Sequence, residues 1–165
     1  EKYGCKTCGA SMFTPDDVAP WMKGLLGVTF VLVLVGGMIL VLEGDVLLVR
    51  TGHTKRRQVK GPWDIKEYGQ AACQAACLPL LHERRIAILG GDTGNDVMPY
   101  TYSKPYNPIH KVGMVAMGLW IMDNANLEDL AEACELRSRW QFLIAICPLR
   151  LEWGTGSPVN PMAVF

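Results

Sequence analysis

Net charge is what this sequence most plainly lacks: Lys+Arg and Asp+Glu each number 16 in 165 residues. A nucleic-acid partner needs a basic face to displace counterions from phosphates, so a neutral chain argues against one. The single basic run, Lys55-Arg56-Arg57, lies between Gly52 and Gly61-Pro62 and reads as a solvated loop. Histidine is scarce, with only His53, His82 and His110. The stretch from Glu1 to Asp17 is polar and has no basic-then-apolar order, so no signal peptide is expected there. A disulfide framework is also missing, although there are six cysteines. Cys73, Cys77, Cys134 and Cys147 sit in apolar settings, where small apolar packing is the ordinary role. Only Cys5 and Cys8, as Cys-x-x-Cys between Gly4 and Gly9, have the spacing of half a zinc knuckle or a redox pair. A reducing compartment is the default, and a cytoplasmic location is expected.

Long uncharged runs are absent except for one, Gly24 to Leu42. Its length suits a membrane-crossing helix, which takes about 20 apolar residues. Its β-branched residues (Val28, Thr29, Val31, Val33, Val35, Ile39, Val41) and the Gly36-Gly37 pair suit two buried strands, Val28–Val35 and Met38–Leu42. Strands are the preferred reading because the rest of the chain is patterned as a soluble protein. Attachment to a membrane through 24–42 stays as the alternative.

With 50% hydrophobic and 19% charged residues, the composition is that of a globular chain long enough for a real core. Thr14-Pro15-Asp16-Asp17 has the residues of a helix start. Val46–Arg50 reads as a strand, 51–69 as a loop and Gln70–Arg85 as a helix. Ile86–Leu89 is a short buried strand, and Met98–Pro108 a proline- and tyrosine-rich loop. Ile109–Gly118 reads as helix, Leu119–Met122 as extended and Leu127–Arg137 as helix. Gln141–Leu151 is a strand interrupted by Pro148, and Gly154–Phe165 is a closing segment. Strands alternate with helices, so the class is α/β. Gly90-Gly91-Asp92-Thr93-Gly94 follows a strand, but it lacks Gly-x-Gly-x-x-Gly spacing and is read as a turn, not a phosphate loop.

Six segments line up in order: Gly44–Gly52 (GDVLLVRTG), Ala76–Arg84 (ACLPLLHER), Leu89–Asp96 (LGGDTGND), Pro108–Gly113 (PIHKVG), Met122–Leu127 (MDNANL) and Gly154–Pro161 (GTGSPVNP). From about Leu42 to Phe165 the series resembles the C-terminal part of the cyclase family, metal-dependent hydrolases related to kynurenine formamidase and isatin hydrolase. The resemblance implies a swivelling β/β/α fold, truncated here on its N-terminal side, with 1–41 unmatched and 42–165 cyclase-like. It also implies zinc or manganese, and water attack on the carbonyl of a small amide, lactam or ester. Homo-oligomers are expected by the same analogy.

The family's early His-x-Gly-Thr-His-x-Asp motif, which supplies most of its metal ligands, is not present; Thr51-Gly52-His53-Thr54 is only a faint echo. A later histidine and acid can be carried over. His110 stands where the family has its later histidine, and Asp123 stands near its acidic partner, as catalytic residues and as candidate metal ligands. Asp92, Asp96 and Asn124 are candidates for lining the substrate cleft, bordered by Tyr100, Tyr102 and Tyr106. Ordinary roles remain open: His110 could bond a backbone carbonyl, Asp123-Asn124 could be a turn or cap before Leu127, and His82 could meet the last carbonyls of its helix. The implied protein is an impaired hydrolase. The alternative is a non-catalytic remnant or scaffold.

Overall fold

In the computed structural model, residues 41–62, 64–100, 102 and 104–165 are described. The Cys5-x-x-Cys8 spacing, the helix start at Thr14-Pro15 and nearly all of the 24–42 run lie outside them. Val41 and Leu42 of that run are irregular. Among the described residues no helix is long and apolar enough to cross a membrane. The chain divides into a unit ending at Asn126 and a second unit, Leu127–Phe165.

The first unit is built on three parallel strands, β1 (Val46–Val49), β2 (Ile88–Gly91) and β3 (Trp120–Met122), in the order β1-β2-β3. Leu47 stands opposite Leu89, and Leu89 opposite Ile121. Parallel neighbours need crossover connections, and here helical segments supply them. The central strand is the apolar Ile88-Leu89 followed by two glycines. A Cβ on Gly90 would lie 2.6 Å from Leu48 Cδ2 and 2.8 Å from Met122 Cε. The glycine therefore lets side chains from both flanking strands close over β2. Leu89 is fully buried beside Leu78, Leu81, Ile86, Ile109 and Leu119. Cys73 and Cys77 pack at the margin of this core.

Two connections differ from expectation. The stretch 51–69 is not all loop: it forms α1 (His53–Lys60) and α2 (Ile65–Tyr68). Neither helix buries a residue, so no apolar periodicity announces them. Arg57 and Lys60 favour the C-terminal end of α1, and Gly61 closes it at φ 78°. The second difference is the helix expected over Gln70–Arg85. It is reduced to a 3₁₀ turn, Ala75–Cys77, and α3 (Leu78–Glu83). Pro79 fits only the first helical turn, because further in it would remove a bond and clash with the preceding turn. Residues 70–73 instead run beside the loop after β2: Gln70 and Met98 exchange backbone bonds of 2.9 Å, and Cys73 N–H donates to Asn95 O at 3.1 Å.

The helix expected over Ile109–Gly118 is a π-helix, Ile109–Ala116. Such wide turns are rare and concentrate at functional sites. In the second unit, α4 (Glu128–Arg137) starts with two acidic residues at the positive end of its dipole. The strand expected over 141–151 is confined to β4 (Leu143–Ala145), leaving Pro148 outside the ladder. Its antiparallel partner is β5 (Met162–Val164), within the closing segment. The Phe142 and Phe165 rings meet at a tilt of 48° with centroids 5.2 Å apart, and the Arg137 guanidinium lies 4.9 Å over Phe165. Cys134 is buried as expected, whereas Cys147 is exposed, in the irregular stretch before Pro148.

Candidate functional site

Ligand sites in open parallel sheets lie beyond the carboxyl ends of the strands, and three aspartates of this unit, Asp92, Asp96 and Asp123, leave the sheet there. β2 runs through Gly91 into Asp92–Asp96, and β3 ends at Met122, so Asp123 leaves the sheet beside that loop. Two bonds hold the exits together: Asn124 N–H to Thr93 O and Ala125 N–H to Gly91 O, both 2.9 Å. The loop is fixed from its other side by Thr93 Oγ1 donating to Ala71 O and Gln70 Nε2 donating to Asp96 O, each at 3.0 Å.

His110, in the first turn of the π-helix, has its ring between two carboxylates. Nδ1 is 2.5 Å from Asp96 Oδ2, and Nε2 is 2.9 Å from Asp123 Oδ2. Asp96 is buried, and its Oδ1 accepts the Ile109 N–H at 2.8 Å. Bonded in this way it is an acceptor, so Nδ1 carries the proton it takes up. Asp123 is a third exposed. Its other oxygen, Oδ1, accepts from Asn95 Nδ2 at 2.7 Å, while Nδ2 also donates to Met122 O at 3.0 Å. Burial by itself would lower the His110 pKa, but the hydrogen bonds and charges of Asp96 and Asp123 outweigh it and raise it above 6.5. The folded chain therefore holds the second ring proton, on Nε2 at the Asp123 side, more tightly than a free imidazole would.

The structure thus brings His110, Asp96 and Asp123 into one array and leaves other candidates outside it. Asp92 is buried and turned toward the start of α1. Its Oδ1 accepts Thr51 N–H and Oγ1–H, both at 2.8 Å, and its Oδ2 accepts the N–H groups of Gly52 and His53, both at 2.9 Å. Asn124 is an exposed turn residue with φ 56°. His53 sits at the start of α1, where burial lowers its pKa despite the nearby Asp92 charge. His82 lines a separate cavity of about 250 Å³ with Leu81, Arg85, Ile86, Met117 and Leu119. Tyr100 donates to Asn107 Oδ1, and its ring lies 6.2 Å from that of Tyr106. Burial, with the Asp96 charge, raises the Tyr100 pKa; Tyr102 is exposed. Asn95 was not singled out by sequence reasoning. Its only signal is an Asn within a Gly-Asn-Asp turn, a residue type suited to the left-handed φ of 51° found there.

Imidazole and carboxylate are the ligand types zinc and manganese take, and among the described residues His110, Asp96 and Asp123 are the group that offers them. Among the described residues no three His, Cys, Asp or Glu side chains are placed to share a metal ion. His110 has committed both ring nitrogens to carboxylates, and residues 1–40 contain no histidine.

No family model matches the chain, and no curated protein does. A solved structure does: the crystal structure of a novel cyclase, at TM-score 0.65 and 28% identity. The match covers 76% of this chain and 41% of that one. The chain is cyclase-like over that span, in fold and in sequence, and spans less than half the length of the solved cyclase.

Proposed function

We propose that this chain is part of a cyclase-family hydrolase that opens a C–N or ester bond in a small amide, lactam or ester, in the manner of kynurenine formamidase. The observation that carries the reading is the His110 ring held between Asp96 and Asp123 at the strand ends. Asp96 keeps the proton on Nδ1 and orients the ring. Nε2 and the Asp123 carboxylate share the next proton at 2.9 Å, so the pair, rather than either group alone, would take a proton from the attacking water and return it to the leaving group. The swivelling β/β/α fold, a cytoplasmic setting and self-association belong to the same reading. Zinc or manganese, as in the resembling family, would require donors from outside the described residues, such as a second chain.

A second reading is favoured by that donor set: a non-catalytic relative that keeps the fold as a scaffold. Purified protein assayed on N-formyl and lactam substrates, with and without zinc or manganese, separates the two. Turnover that His110→Ala lowers by about 10²- to 10⁴-fold supports the hydrolase. Absence of turnover under every metal condition, with no metal retained, leaves the scaffold.

A further inference from the structure

The His110–Asp123 contact depends on a residue that touches neither the ring nor the space in front of it. Asp123 is a third exposed, so its carboxylate could turn toward water. Apart from the His110 contact itself, the side-chain bond that opposes this is the 2.7 Å donation from Asn95 Nδ2 to Asp123 Oδ1. Asn95 itself is almost wholly buried, at 2% exposure. The same nitrogen is tied to Met122 O at 3.0 Å, the last carbonyl of β3, so the amide is referenced to the strand that delivers Asp123. Its position is fixed from behind as well: a Cβ on Gly91 would lie 2.8 Å from Asn95 Oδ1, a space only glycine leaves open. The groups facing the array are few. Asp96 and Asp123 meet the ring, the Cys73 thiol and Tyr100 lie near Asp96, and the Lys111 ammonium lies over the Tyr106 ring.

We infer that Asn95 is a positioning residue of this site: its amide, by holding one oxygen of Asp123, selects the rotamer that keeps the other turned toward His110 Nε2. The donor is neutral, so it orients the carboxylate without neutralising it, as a lysine would. A buried amide with two acceptors is rigid, and such support is what holds reacting groups in line. The catalytic consequence rests on the hydrolase reading; the geometric claim does not.

Asn95→Gly tests it with little backbone strain, because glycine accepts the left-handed φ. In proton–nitrogen NMR of the protonated ring, the Nε2–H signal of His110 should shift or broaden away in the variant, while Nδ1–H, held by Asp96, stays. In an Asp123→Ala background the same substitution should change Nε2–H no further. An unchanged Nε2–H in Asn95→Gly, or an equal additional effect without Asp123, overturns the inference. If that variant does not fold, the wild-type Asn95 amide decides. One of its two protons should lose exchange protection in Asp123→Ala and the other, on Met122 O, should keep it; no loss overturns the inference. If the wild type turns over substrate, kcat should fall about 10- to 100-fold in Asn95→Gly with KM retained. Lack of wild-type turnover would sink the hydrolase reading and leave the NMR result to decide the role of Asn95.

Discussion

At the scale of single residues, His110 is the group whose state the fold changes most usefully. Its pKa is raised, so the folded chain binds the ring proton more tightly than the unfolded chain does. The resulting stabilisation is full below the ordinary value of 6.5 and is lost as pH rises through the raised one. Thermal melts of wild type and His110→Gln across that window should therefore differ most on the acid side and converge on the alkaline side. A difference that grows with pH would refute the carboxylate pairing. The identities of His110 and Asp123 could be read from the residue order that resembles the cyclase family. That Asp96 takes the other ring nitrogen could not, because nothing in the spacing of 96, 110 and 123 reveals that a loop and two strand ends converge.

At the scale of elements, α1 shows why a helix can be invisible in sequence. His53–Lys60 has no buried residue, and Gly52 at its N-cap offers no side-chain bond. Its entry turn is instead held by Asp92, about 40 residues away, which accepts the N–H groups of Thr51, Gly52 and His53 and the Thr51 hydroxyl. A carboxylate there also meets the positive end of the helix dipole. Asp92→Ala leaves three backbone donors without that acceptor and should cost about 2–4 kcal/mol in chemical denaturation. A loss under about 0.5 kcal/mol, the range of an ordinary surface change, would show that Asp92 does not hold the element. α3 illustrates the converse error. The apolar residues of 70–85 suggest one long helix, but Pro79 and the bonds from 70–73 to the loop after β2 confine the helix to its second half.

At the scale of the whole molecule, large apolar side chains remain outside. In the first unit Val115 is 85% and Trp120 66% exposed, and in the second Leu136 is 77% and Trp153 94% exposed. Trp120 lies on β3, an edge of the three-stranded sheet, and uncovered edges and apolar surfaces favour association. Sedimentation of the purified chain should show a dimer or larger species, dissociating on dilution. A monomer at all concentrations would remove self-association from the functional reading.

The sequence by itself determined a strand over Val46–Arg50, a short buried strand over Ile86–Leu89 and a helix over Leu127–Arg137, each found within two residues of those bounds. It also named His110 and Asp123 as the residues to mutate. Apolar runs, glycines and acidic helix starts act locally and can be read locally. Only the tertiary structure decided that Asp92 holds the entry turn of a helix, that Asn95 holds Asp123 and that Asp96 meets His110 Nδ1. Each of these is a hydrogen bond between residues distant in the chain. Such a bond forms because parallel strands bring their carboxyl ends together, and residue type alone carries no record of it.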